Sequence, residues 1–256
     1  MTKIIETHCH LDYLKNEPLA DILKKSEEAG IEKIITIAVE PDNFDAARSI
    51  AENNEKVYFS QGIHPHDAKL STPEALKTIE SRVGLDKMVA VGEIGLDYHY
   101  DNSPRDIQKD VFRAQLDIAI RNDKPVIIHS RDADEDMIEI LSEKAPELKR
   151  KGVIHSFTSG PKLAQTALDL GFYLGFNGII TFKKAQEVRD IVDLCPIERI
   201  LTETDSPFLT PTPHRGKENA PYYLPFVVKK IAEIKNLPEQ EVLDSCYRNA
   251  FDLFKF

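Results

Sequence analysis

Residues 125–155 read PVIIHSRDADEDMIEILSEKAPELKRKGVIH. Two short runs rich in Val and Ile, Pro125–His129 and Val153–Ser156, enclose an amphipathic segment, Glu135–Lys144. Short β-branched runs are typical of strands, and a longer segment with one apolar face is typical of a helix. The stretch therefore predicts a strand–helix–strand unit whose two strands lie parallel in one sheet.

The same alternation extends along the whole chain. Strands are predicted over Lys3–Thr7, Lys33–Val39, Val57–Ile63, Met88–Gly92, Pro125–His129, Val153–Ser156, Phe172–Phe176 and Arg199–Thr202. Helices are predicted over Pro18–Gly30, Asn43–Asn53, Pro73–Val83, Asp106–Asn122, Glu135–Lys144, Pro161–Leu170, Lys184–Leu194, Tyr222–Lys235 and Glu239–Phe254. Strands that are each followed by a helix predict an α/β fold of the (β/α)8 or TIM-barrel type, which typically takes ~250 residues. A doubly wound open sheet shows the same alternation, but the strand count and the length of 256 residues favour the barrel.

The composition is that of an ordinary globular protein, with 41% hydrophobic residues and a formal net charge of −10. No apolar run approaches the ~20 residues that a membrane span requires. The N-terminal stretch MTKIIETHCHLD lacks the long apolar core of a signal peptide. Three widely spaced cysteines do not suggest a disulfide framework, and Cys9 is expected in the core. We therefore expect one reduced, cytoplasmic domain over residues 1–256, without membrane association or an evident obligate protein partner.

Side chains that bind metal ions mark the carboxyl ends of the predicted strands, where TIM barrels carry their active sites. The candidate ligands are His8, His10, Glu93, His129, His155 and Asp205. His8 and His10 are two residues apart, so an extended backbone points both to the same side, where two neutral imidazoles can share a metal ion. A lone His-x-His pair is more often a solvated strand end. The two further strand-end histidines and the two carboxylates favour the ligand interpretation.

The two carboxylates have alternative interpretations of their own. Glu93 directly follows the apolar run Met88–Gly92, and a carboxylate at the end of a buried strand is costly unless it is paired or binds metal. A helix cap or an arginine partner is the alternative. Asp205 lies two residues after Glu203, so one of the two could bind metal and accept a proton from water while the other supports a ligand. Turn chemistry explains Asp205-Ser-Pro, but it does not explain the four histidines.

A second group of residues consists of candidates for substrate contact. His64 could contact a phosphate, protonate a leaving group or lie in a loop, and His66 is more typical of a loop. The cationic candidates for phosphate or oxyanion contacts are Arg131, Arg215 and Lys217, although each alone is more often a solvated charge. The irregular stretch Ser206–Pro221 is long enough to be functional or mobile. The chain has no phosphate-binding Gly-rich loop, no G-x-S-x-G motif and no C-x-x-C pair.

Several motifs together resemble one family. ETHCHLD, GIHPH, GEIGLDYH, PVIIHSRDA, GVIHSFTSG and LTETDSPFLTP, followed by RGKENAP, occur in this order between Glu6 and Pro221. In these motifs the sequence is similar to the TatD family, which comprises metal-dependent hydrolases of the amidohydrolase-like barrel superfamily that are usually described as deoxyribonucleases. Glu6 stands where the family's opening motif is expected to have Asp. Position 6 is near the expected site but is not one of its ligands, so we expect this difference to affect at most the residues that support the ligands.

The resemblance implies a site for two divalent ions, Mg, Mn or Zn. One ion would be held by His8, His10 and Asp205 and the other by His129 and His155, with Glu93 bridging the two. It also implies hydrolysis of DNA phosphodiester bonds by metal-activated water, with Asp205 as the general base and Glu93 and His64 in the catalytic site. His64, Arg131, Arg215 and Lys217 would contact the substrate, and Glu203 would support the ligands.

The net charge restricts the expected substrate. Duplex affinity depends largely on Lys and Arg, so a charge of −10 argues against a broad nucleic-acid footprint but not against one phosphodiester in the mouth of the barrel. We therefore expect exonuclease-like action on DNA strand ends. Hydrolysis of another ester or amide, such as by a D-aminoacyl-tRNA deacylase or a small-molecule amidohydrolase, is the enzymatic alternative. A non-catalytic binding protein is the other alternative, against which the complete ligand set argues.

Overall fold

Eight parallel strands form one sheet, in which each strand pairs with the next along the chain. The computed structural model describes residues 3–256, so Met1 and Thr2 of the predicted domain lie outside the described residues. The strands are β1 (Ile4–Cys9), β2 (Ile31–Ala38), β3 (Val57–Gln61), β4 (Met88–Asp97), β5 (Val126–Arg131), β6 (Gly152–Ile154), β7 (Tyr173–Phe176) and β8 (Ile200–Thr202). The helices are α1 (Leu19–Glu28), α2 (Phe44–Glu52), α3 (Pro73–Arg82), α4 (Arg105–Arg121), α5 (Asp134–Lys144), α6 (Pro161–Asp169), α7 (Gln186–Leu194), α8 (Leu224–Lys235) and α9 (Glu239–Phe254).

Hydrogen bonds join the first strand to the last. The Thr7 hydroxyl donates to the carbonyl oxygen of Thr202 at 3.0 Å. Just beyond β8, the Asp205 amide donates to the His8 carbonyl oxygen at 2.9 Å. These bonds bring β1 and β8 together and confirm the (β/α)8 barrel that the strand–helix alternation predicts. In the described residues, no helix is long and apolar enough to cross a membrane.

Strand β4 continues beyond its predicted end at Gly92 and runs to Asp97. Val91 pairs with Val126 and Ile94 with Ile128, so β4 holds one more residue than β5 over this interval and bulges there. A glycine is needed at position 92, where φ is +156° and a Cβ atom would overlap the backbone of β5. The bulge carries Glu93 inside the paired part of the sheet, which the sequence pattern did not predict.

The apolar core has two layers. The outer layer lies between the sheet and the helices and includes the predicted core residue Cys9, which is fully buried. The inner layer fills the barrel with side chains that alternate along the strands, and α9 adds to it at the amino end of the barrel. Its members are Ile5, Ile35, Ile37, Val89, Ala90, Ile127, Val153, Leu201, Ala250, Leu253 and Phe254. The interior is thus apolar towards the amino ends of the strands, which leaves the carboxyl ends for polar groups.

Candidate metal centre

The six predicted ligands converge at the carboxyl end of the barrel. The strands that carry them or directly precede them are β1, β4, β5, β6 and β8. A cavity of about 740 Å³ opens over them. It is lined among others by His10, His64, Glu93, His129, His155 and Asp205. Residues that are far apart in the sequence therefore meet in one place because parallel strands present their carboxyl ends at one face.

Glu93 lies at the centre of this cluster, and its two oxygens face different groups. Oε1 is 2.7 Å from His155 Nε2, 2.9 Å from His129 Nδ1 and 3.3 Å from His64 Nε2. Oε2 is 3.4 Å from His8 Nε2. A carboxylate with its oxygens directed at two sets of imidazoles has the geometry to serve two cations.

The second set consists of His8, His10 and Asp205. Asp205 Oδ1 is 3.7 Å from His8 Nε2 and 3.6 Å from His10 Nε2. The other ring nitrogen of His10, Nδ1, lies 3.2 Å from the Ile37 carbonyl oxygen. That contact turns Nε2 towards the cavity, which is how proteins commonly orient a metal-binding histidine.

The donor set fits divalent cations. Both ring nitrogens of His8 are buried and have no hydrogen-bond partner, although buried polar groups are rarely left unpaired. Its ring stacks on that of His155 with centroids 3.8 Å apart. Three groups of ligand atoms each lie within 4.8 Å of one another: His8, His155 and Asp205; His8, His10 and Glu93; His64, Glu93 and His129. Imidazole nitrogens with carboxylate oxygens suit Zn, Mn and similar ions.

Burial and neighbouring charges set the protonation of these groups. Burial disfavours the Glu93 carboxylate, yet the histidines around it, above all His155 and His64, hold its pKa well below the usual range. Burial likewise acts against the Asp205 carboxylate, but the nearby imidazole of His10, together with those of His8 and His155, lowers its pKa. Burial lowers the pKa of His64 to about 4. Burial acts against the charged forms of His10, His129 and His155, but the carboxylates beside them raise the pKa of all three imidazoles. Metal binding needs neutral imidazoles and ionised carboxylates, so a cation bound here would displace protons from these histidines.

Comparison with known proteins identifies the family. The family model described as TatD related DNase matches residues 5–255. The chain belongs to this TatD family. The uncharacterized metal-dependent hydrolase YabD of Bacillus subtilis is 38% identical, and the match covers 98% of this chain and 99% of YabD. The uncharacterized metal-dependent hydrolase YcfH of Escherichia coli is 35% identical, with 98% of this chain and 95% of YcfH covered.

A solved structure agrees with this assignment. The crystal structure of YjjV, a TatD homologue from Escherichia coli K12, superposes with a TM-score of 0.93 and 31% identity, and the match covers 100% of this chain and 99% of YjjV. The chain is therefore a metal-dependent hydrolase with the barrel of the TatD family, as the sequence motifs predict.

Asp97 is a residue of this TatD-family site to which the sequence analysis gave no role. It lies at the end of β4, it is fully buried, and its Oδ2 is 2.9 Å from His129 Nε2 and 3.0 Å from His66 Nε2. Its Oδ1 accepts hydrogen bonds from the backbone amides of His99 and Tyr100. Burial acts against the carboxylate, but the hydrogen bonds from His129 and His66 hold its pKa far below the usual range. Its spacing of four residues from Glu93 was the available signal, because alternate strand residues share a face.

Two further carboxylates lie beneath the predicted ligands. Glu203 is fully buried, its Oε1 accepts a hydrogen bond from the Ser156 amide at 2.6 Å, and the same oxygen is 3.5 Å from His155 Nδ1. Glu6 accepts hydrogen bonds from the amides of His8 and Thr204 at 3.1 and 2.9 Å. Burial raises the pKa of Glu6 to about 8. Both side chains contact the segments that carry ligands, and neither lines the cavity.

The structure separates the predicted substrate contacts. His64 and Arg131 line the cavity, and His66 does so while it contacts Asp97. Arg215 instead lies with its guanidinium carbon 3.9 Å from the centre of the Phe182 ring. Lys217 lines a separate cavity of about 200 Å³. Arg215 and Lys217 are therefore not brought to the metal centre in this structure, and their role as substrate contacts stays a prediction.

Proposed function

We propose that this chain is a divalent-metal-dependent nuclease that hydrolyses phosphodiester bonds at the ends of DNA strands. The observation that carries the proposal is the position of Glu93, whose two oxygens face two sets of ligands at the floor of an open cavity. Sites for two divalent ions are typical of enzymes that hydrolyse phosphate esters, such as phosphatases and nucleases. The family description, TatD related DNase, supports the same substrate class.

We assign two ions to this floor. His8, His10 and Asp205 would hold one and His129 and His155 the other, with Glu93 shared. When bound, such ions lower the pKa of a water molecule and neutralise charge on phosphoryl oxygens. The mixed nitrogen and oxygen ligands admit Mg, Mn or Zn.

The chain's own residues would carry out the remaining steps. Asp205 lines the cavity, and 14% of its side chain is exposed. It would accept the proton of the attacking water. His64 lies on the Oε1 side of Glu93, away from Asp205, and would contact the scissile phosphate from that side. Arg131 would place a positive charge beside the neighbouring phosphate. Asp97 and Glu203 would hold His129 and His155 in orientation.

Within this proposal the reaction takes place in the cytoplasm. Cys9, Cys195 and Cys246 are all buried and unpaired, which supports a reducing, cytoplasmic environment. The substrate would be a DNA strand end in that compartment. The net charge of −10 supports a short contact rather than a long duplex footprint.

The test is a panel of substrates that are all assayed under the same set of metal conditions. Single- and double-stranded DNA, mischarged tRNA and small amides are each incubated with Mg²⁺, Mn²⁺ or Zn²⁺ and after exhaustive chelation. We expect metal-dependent release of nucleotides from DNA ends, and its loss in the variants Asp205→Asn and His129→Ala. Glu187→Gln, an exposed carboxylate on α7, is the matched control. Activity that survives chelation, or cleavage of only tRNA esters or amides, would contradict the proposal.

A further inference from the structure

Exposed aromatic side chains concentrate at the mouth of the cavity. Among residues 3–256, the strongly exposed Phe and Tyr side chains are Tyr100 (55%), Phe208 (52%) and Phe251 (42%). Tyr100 and Phe208 both line the cavity over the metal ligands. Phe251 lies on α9 at the other end of the barrel. Single exposed apolar residues are common, but two large exposed rings at one cavity indicate a surface that binds a ligand.

The two rings stand on opposite sides of the mouth. Tyr100 follows β4, and Phe208 follows β8. In a sheet of eight strands paired in sequence order, β4 and β8 are half a turn of the barrel apart. The Phe208 ring lies 6.2 Å from the His10 ring and the Tyr100 ring 5.3 Å from the His66 ring, so each aromatic ring borders a different side of the histidine cluster. A phosphodiester held over the ligands would therefore have one ring on each side.

Hydrogen bonds hold both aromatic residues in place. The Tyr100 amide donates to Asp97 at 2.9 Å, and its ring meets the His66 ring edge-on at 5.3 Å. The Phe208 carbonyl oxygen accepts a hydrogen bond from Asn219 Nδ2 at 2.6 Å. Asn219 is fully buried and also donates to the Thr204 carbonyl oxygen, so it ties this turn to the end of β8. Rings that are presented by fixed backbone lose little entropy when a ligand stacks on them.

The rest of the mouth is suited to the same ligand. Its apolar lining includes Tyr13, Val39, Ile179 and Leu209. The Arg131 guanidinium lies 4.9 Å from the centre of the Tyr100 ring, which places a positive charge next to one aromatic surface. Nucleic-acid sites combine aromatic platforms for bases with cations for phosphates in this manner.

We propose that Tyr100 and Phe208 each stack on one of the two bases that flank the scissile phosphodiester. The inference rests on the proposed nuclease function and extends it to the residues that recognise the substrate. Bases within a duplex have both faces covered by their neighbours, so the two nucleotides at the cut would be unpaired and splayed apart. Recognition would be independent of sequence, because every base has a π-face.

The kinetic test compares two oligodeoxynucleotides of equal length. One carries bases on both sides of the cleaved linkage, and the other has abasic residues there. We expect the wild type to prefer the first substrate in kcat/KM. Tyr100→Ala and Phe208→Ala should each lower kcat/KM for it by roughly 5- to 150-fold, the range for loss of one stacked base, and should shrink the preference over the abasic substrate. Phe251→Ala is the matched control.

A second measurement reports stacking without turnover. The chain contains no Trp, so Phe208→Trp and Tyr100→Trp each introduce one fluorophore while an aromatic surface is kept. Their fluorescence, recorded by stopped flow before turnover, should be quenched by the base-carrying oligonucleotide and not by the abasic one. Phe251→Trp should respond to neither.

The outcomes separate this inference from the proposed function. If the wild type cleaves DNA but the alanine variants lose equal activity on both substrates, the rings only shape the mouth and the inference is wrong. It is also wrong if the alanine variants cleave as the wild type does, or if the Trp variants show no quenching. If the wild type cleaves no nucleic acid in any metal, the proposed function fails and the stacking role fails with it.

Discussion

The two ends of the barrel bury their interior side chains in opposite ways. At the amino end, residues such as Ile5 and Ile127 pack against Leu253 and Phe254 of α9 in an apolar cluster. At the carboxyl end, buried imidazoles and carboxylates surround Glu93, and some of their polar atoms have no hydrogen-bond partner. Burial stabilises the first arrangement, whereas it is costly for the second unless a ligand compensates.

The same strands build both ends. β1 carries Ile5 and His8, and β5 carries Ile127 and His129, so two or three residues separate a packing position from a chemical one. Stability should therefore depend mainly on the amino end and activity on the carboxyl end. Substitutions at the two ends should separate these properties.

The largest effect is expected from Asp205→Asn. The substitution keeps the size of the side chain but removes the group that would accept the proton, so kcat should fall by about 10²–10⁴-fold. The Tm should change less than it does for a substitution at the amino end. Steady-state kinetics and thermal melts of the same preparation measure both. Full activity in this variant would contradict the prediction that activity depends on the carboxyl end and stability on the amino end.

Phe254→Ala should show the reverse. Phe254 is 2% exposed in the inner core, and truncation of a buried Phe costs about 3–5 kcal/mol of unfolding free energy. For a chain of this length the Tm should fall by roughly 6–20 °C. Below that Tm, the kcat of the folded protein should stay near the wild-type value. Phe251→Ala, three residues away and 42% exposed, is the control and should lower the Tm much less.

Removal of metal from the carboxyl end should lower the stability of the whole fold. A ligand that binds only the folded state adds about 2.7 kcal/mol at a hundredfold excess over its Kd, which corresponds to roughly 5–11 °C in Tm. Wild-type protein should therefore melt lower after exhaustive chelation and recover when Mn²⁺ or Zn²⁺ is added. Glu93→Gln should show a smaller metal-dependent shift, because the carboxylate that both sets of ligands share loses its charge and one of its two oxygens. An equal shift in this variant would place the stabilising ion elsewhere.

Much of the fold can be predicted from the sequence, because the periodicity of the apolar residues matches the way in which they pack in the structure. PVIIH and GVIH read as strands since their Val and Ile residues are buried on the sheet, and the structure has β5 and β6 at these places. Their terminal histidines reach one cavity because parallel strands share a carboxyl end. The strand ends therefore predict five of the six candidate ligands, and the resemblance to the TatD family favours Asp205 over Glu203 as the sixth.

The sequence pattern was less informative where tertiary contacts decide. The apolar run Met88–Gly92 predicts the end of β4 at Gly92, whereas in the structure Gly92 lies in a bulge against β5 and the strand continues. Arg215 and Lys217 were chosen for their charge, and nothing local indicates that Arg215 packs on Phe182. Asp97 received no role because its partners are distant in the sequence: His129 lies on β5, and His66 lies in the loop after β3.

Asp97→Asn should have the smallest of the four effects and tests how far the carboxyl-end network extends. Asparagine keeps one oxygen for the amides of His99 and Tyr100, but it places an amide group against His129 Nε2 instead of a carboxylate. Loss of such a partner behind a metal ligand typically lowers metal affinity or activity by about 10–100-fold. We expect weaker metal binding in a titration, with activity largely restored at saturating metal.

Asp132→Asn is the matched control for this change, because Asp132 also pairs with a histidine, His99, at 3.0 Å but is exposed outside the ligand cluster. Its metal affinity should equal that of the wild type. If Asp97→Asn lowers the Tm while the metal titration is unchanged, Asp97 only stabilises the turn after β4. Its role would then be structural, like that of the packing residues at the amino end, although it lies among the predicted ligands.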